Sequence, residues 1–147
     1  MRHVPDLPEQ LTLSTFSTRR LGHLVVWVGR LDIDISDADW AIYVAWLKEL
    51  QVAIGEVKVL TTQGRAPSSS QRSLIDRELN TEHLRIAVML SNPALVSIVR
   101  VTSWFIKGVA AFKQNELEKA LAFLGETDSA AVRTAIRDLG GVVAKAR

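Results

Sequence analysis

Two kinds of apolar run alternate along this chain. Residues 13–18 and 23–33 are rich in Val, Leu, Ile, Thr, Trp and Phe, with Gly22 between them. β-Branched and aromatic side chains suit a pleated surface, so the pattern predicts two strands joined by a short turn. The centre of the second run, LVVWV, is apolar without a break, which predicts burial on both faces of a sheet. Residues 57–62 (VKVLTT), 84–90 (LRIAVML) and 109–112 predict three further strands.

Helical spacing fills the intervals. Ser36 followed by Asp39 has the form of a capping box. Behind it Trp40, Tyr43, Val44 and Leu47 follow the i, i+3, i+4, i+7 rule, and Ile42, Trp46 and Leu50 form a second apolar row beside them. Gly55 closes that helix. A second helix is predicted over 70–79. A third begins at Asn92-Pro93, where asparagine suits the cap and proline the first turn, and runs to about residue 105. Asn115 and Glu118 suggest an asparagine form of the capping box for a helix over 117–124, stopped by Gly125. A final helix spans 129–139, ahead of Gly140-Gly141 and a small basic tail.

The predicted order is β-β-α-β-α-β-α-β-α plus a C-terminal helix. Strands alternating with helices mean an α/β protein with a mixed, largely parallel sheet. The pattern divides the chain into an irregular N-terminal arm (1–10), one α/β domain (11–125) and a C-terminal helix with its tail (126–147). A chain of 147 residues with 48% hydrophobic content has enough core to fold without disulfides or a structural metal.

Charge narrows the partners. Lys and Arg number 18 against 16 Asp and Glu, a formal charge of +2, and the cations are dispersed from Arg19 to Arg147. No stripe of cations with interleaved aromatics suggests nucleic acid. The absence of cysteine removes thiolate chemistry and Cys-ligated zinc, and it suits a reducing compartment. The N-terminus MRHVPDLPEQL has no apolar signal core, and the most apolar stretch, 94–106, is broken by Arg100 and too short to span a bilayer. The expectation is a cytoplasmic protein with no membrane span.

The sharpest chemical feature is GRAPSSSQR, residues 64–72, directly after a predicted strand. In an open α/β sheet ligands gather beyond the carboxyl ends of the strands, and a helix N-terminus attracts anions. Gly64, Arg65, Ser68, Ser69, Ser70 and Arg72 therefore form a candidate anion-binding or phosphorylation loop, with the arginines as clamps. The same residues also read simply as a turn and a helix start. The P-loop spacing is absent.

Asp32, Asp34, Asp37 and Asp39 are clustered, but the positions matching an EF-hand's central glycine and final glutamate hold Asp37 and Tyr43. No metal or cofactor is expected. His3, His23 and His83 share no ligand spacing, and neither HExxH nor GxSxG occurs, so no catalytic residue is assigned. If the row Ile42, Trp46 and Leu50 stayed exposed, it would mark an interface with another protein or with a second copy.

The stretch LRIAVMLSNPALVSIVRVTSWFIKGVAAFKQNELEKALAFLG resembles the closing half of SpoIIAA-like proteins of the STAS-like fold. Members of that group end in a strand with a terminal aromatic and an acidic helix written roughly eleeAlaWL. Here this is AAFKQNELEKALAFL, with Phe123 where tryptophan is common. The resemblance covers about residues 11–125. It implies a STAS-like sheet and a non-enzymatic regulatory domain acting through another protein in bacterial signalling. Anti-sigma factor antagonists of that superfamily carry a phosphorylated serine after the third strand, and GRAPSSSQR occupies the corresponding place without the Asp-Ser-Ser-Gly signature. Ser68 or Ser69 would then be the modified residue. Two alternatives stand beside this reading. One is an anionic-ligand or lipid-binding domain using the same helix start. The other is a self-associating module using the Trp46 face.

Overall fold

The computed structural model describes residues 7–30, 33–63, 67–90 and 108–141. Its strands are β1 (Gln10–Thr12), β2 (Phe16–Leu21), β3 (Leu24–Gly29), β4 (Val57–Thr62), β5 (Leu84–Leu90) and β6 (Val109–Lys113). Its helices are α1 (Asp37–Ile54), α2 (Ser69–Glu78), α3 (Leu117–Leu124) and α4 (Ser129–Asp138), with a short 3-10 turn at Thr81–His83. The predicted helix over 92–105 lies outside the described residues, as do Trp104 and Phe105.

All six strands form one mixed sheet in the order β1-β2-β3-β4-β5-β6. The pairs β1–β2 and β2–β3 are antiparallel, and β3–β4, β4–β5 and β5–β6 are parallel. The chain is α/β, as its alternation predicts. One expected strand, residues 13–18, is divided: β1 ends at Thr12, and Leu13, Ser14 and Thr15 turn the chain into β2. The turn is closed by the Leu13 N–H donating to the Phe16 carbonyl at 2.9 Å. The first part of this hairpin falls inside the segment read from the pattern as an irregular arm.

Sequential parallel strands joined by right-handed crossovers place their helices on one face. Accordingly α1 and α2 cover the same side. Phe16, Val25, Trp27, Val57, Val59 and Leu84 meet Trp40, Tyr43, Val44, Leu47 and Ile75 there. The other face of the same strands, Leu24, Val26, Val28, Leu60, Ala87 and Met89, is covered by α3 and α4. Every residue of LVVWV is buried, alternately in one core or the other. The helix after Gly125 packs on this sheet, contributing Val132, Ala135 and Ile136 to the second core.

Gly125 and Gly108 illustrate two ways in which geometry requires glycine. Gly125 ends α3 at φ 72°, in the left-handed region open to glycine. Gly108 precedes β6 so close to β5 that an added Cβ would run into the Leu84 carbonyl. The predicted Asn115–Glu118 capping box does not form. Glu116 is the N-cap residue of α3, and its carboxylate turns back to accept from the Lys113 N–H at 2.8 Å. That bond, with Lys119 beside it, holds the half-buried Glu116 carboxyl below the ordinary value.

Candidate functional site

The starts of α1 and α2 lie together on the first-core side. Ser68 is the N-cap of α2 in a complete capping box: its Oγ accepts from the Gln71 N–H at 3.2 Å, and Gln71 Oε1 accepts from the Ser68 N–H at 2.9 Å. Ser68, Ser69 and Ser70 are exposed, whereas Gln71 is buried. Ser68 and Ser70 share a hydrogen bond between hydroxyls at 3.1 Å.

Gln71 ties this turn to α1. Its Nε2 donates to the Ile35 carbonyl and to Asp37 Oδ1, each at 2.9 Å, and its backbone carbonyl accepts from the Trp40 indole N–H at 2.8 Å. An amide that both donates and accepts can join three segments while leaving no polar atom stranded. The S-x-x-Q spacing of Ser68 and Gln71 is a capping-box signature that was there to be read. The role of Gln71 between the helices was not, because it depends on where α1 lies.

α1 begins on a second knot. Ser36 Oγ accepts from the Asp39 N–H at 3.0 Å, the predicted half of its capping box. The Asp39 carboxylate turns instead to the β1–β2 turn. Its Oδ2 accepts from Thr15 Oγ1 at 2.6 Å, the Thr15 N–H at 2.9 Å and Ser14 Oγ at 3.1 Å. Burial pushes the Asp39 carboxyl up. The bonds from Thr15, Ser14 and Ser36 outweigh it and hold the carboxyl below its ordinary value. Asp37 and Asp39 are thus committed to neighbouring segments. Among the described residues no three His, Cys, Asp or Glu side chains come together as a metal site.

Gly64 and Arg65 lie outside the described residues. Arg72 is half-buried and donates from Nη1 to the Pro67 carbonyl at 2.8 Å, so this guanidinium braces its own loop. His23 is exposed, with Nδ1 3.1 Å from the Glu56 carbonyl, and His83 is exposed at the end of the 3-10 turn. His3 lies outside the described residues.

The carboxyl ends of the parallel strands carry amides that the sequence did not single out. Gln63, at φ 46°, donates from Nε2 to the Gly29 carbonyl at 3.3 Å. Gln114 accepts from Thr62 Oγ1 at 3.3 Å and donates to the Met89 carbonyl at 3.2 Å. Each satisfies a carbonyl at a strand end, beside the candidate loop.

The expected Ile42–Trp46–Leu50 interface is corrected by the burial. Trp46 is 4% exposed and Leu50 0%, while Ile42 is 49% exposed. The N-terminal arm is the reason: the Trp46 indole N–H donates to the Pro8 carbonyl at 2.9 Å, and Leu7, Leu11 and Leu13 pack against the same core. Tyr43 stacks on Trp46 at 6.2 Å between ring centroids, and burial pushes its hydroxyl far above the ordinary tyrosine value.

No helix among the described residues is long and apolar enough to cross a membrane. No protein-family model matches the chain, and no curated protein or solved structure is significantly similar to it.

Proposed function

We propose that this chain is a non-enzymatic regulatory domain that binds another protein through the start of α2, with the serines there as its control point. The observation that carries the reading is the contrast across one helical turn. Ser68, Ser69 and Ser70 are exposed, and the next residue, Gln71, is buried and bonded to α1. Exposed hydroxyls beside a buried, hydrogen-bonded glutamine suit a switch, because a modification there changes the surface a partner meets. A phosphate on Ser69 or Ser70 would sit in the first turn of α2, where the helix dipole favours negative charge. The SpoIIAA-like resemblance of residues 11–125 points the same way. The alternative of an anion clamp is weakened by Arg72, whose Nη1 is bonded to Pro67.

The test joins two measurements on the full chain in its native cells. Phosphopeptide mapping reads Ser68, Ser69 and Ser70 directly. A photo-crosslinking residue replacing Ser69 reports what touches the turn, with the same residue replacing the exposed Arg137 on α4 as the control. The proposal expects phosphate on the serine run and a discrete protein adduct from position 69, lost when Ser70→Asp is added. An adduct at neither position, or one indifferent to Ser70→Asp, would sink it.

A further inference from the structure

We draw no further inference here: the strongest candidate, the open cavity between the β2–β3 turn and the start of α4, floored by Leu21, Leu24 and Val132, carries nothing, because its charged groups are Asp128, the N-cap of α4, and the nearby Glu126, and nothing in the structure shows what would occupy it.

Discussion

Asp39 shows how one side chain can fasten two elements whose sequences are far apart. Its carboxylate is buried, yet three donors from Ser14 and Thr15 converge on one oxygen. Hydrogen bonds to a charged group contribute more than neutral ones, and a donor left behind in a buried site is costly. Replacing Asp39 by Asn reverses part of this pattern and should cost about 1–3 kcal/mol in a urea titration near neutral pH. The pH dependence follows from the direction of the shift. A carboxyl held below its unfolded value of 3.8 stabilises the fold above that pH, and the contribution is lost as pH falls through the lower folded value. The wild-type chain should therefore lose stability on moving from neutral pH to below 3.8, and Asp39→Asn should lose measurably less over the same interval. Equal losses would mean that the carboxylate is not the group being titrated.

At the scale of elements, helix starts carry the organisation. α2 is short and its apolar contribution is concentrated in Ile75, so its placement depends on its first turn. Ser68→Ala should cost about 0.5–2 kcal/mol by removing the cap. Gln71→Leu should cost about 1–3 kcal/mol, because it strands the Ile35 carbonyl and the Ser68 N–H together. Thermal melts of both variants check this, and the double variant should cost less than the sum, since both side chains belong to one box. Strict additivity would separate capping from docking. The boundaries of β4 and β5 and the α3 range follow from the local pattern, where periodicity and a stop signal agree. The division of residues 13–18 into a turn and the start of β2 does not. Leu13, Thr15 and Phe16 all have strand-like side chains, and only the pairing of β1 with β2 places the turn among them.

Over the whole molecule, a single sheet divides the apolar residues into two cores, and both are needed. α4 is the clearest case, because Ile136 is buried against β3 from the far end of the chain. Ile136→Ala should cost about 2–5 kcal/mol, as for a core truncation. Ile42→Ser, on the outer side of α1, should stay within about 0.5 kcal/mol of wild type, the range of ordinary surface substitutions. Chemical denaturation distinguishes the two. If Ile136→Ala were as mild as Ile42→Ser, α4 would be an appendage and not part of the core.

Local chemistry along the chain determined β4, β5 and α3, that the fold is α/β, and that β3 is buried on both faces. Those properties depend on periodicity and capping within a few residues, and such information is carried in order along a chain. Tertiary structure alone decided that the Trp46 row is covered, that Gln71 and Asp39 are shared between elements, and that the last helix belongs to the second core. A helix pattern reports how many apolar faces exist, not which neighbour covers them. Pro8 of the covering arm lies 38 residues from Trp46 along the chain, a contact that only the folded chain brings about.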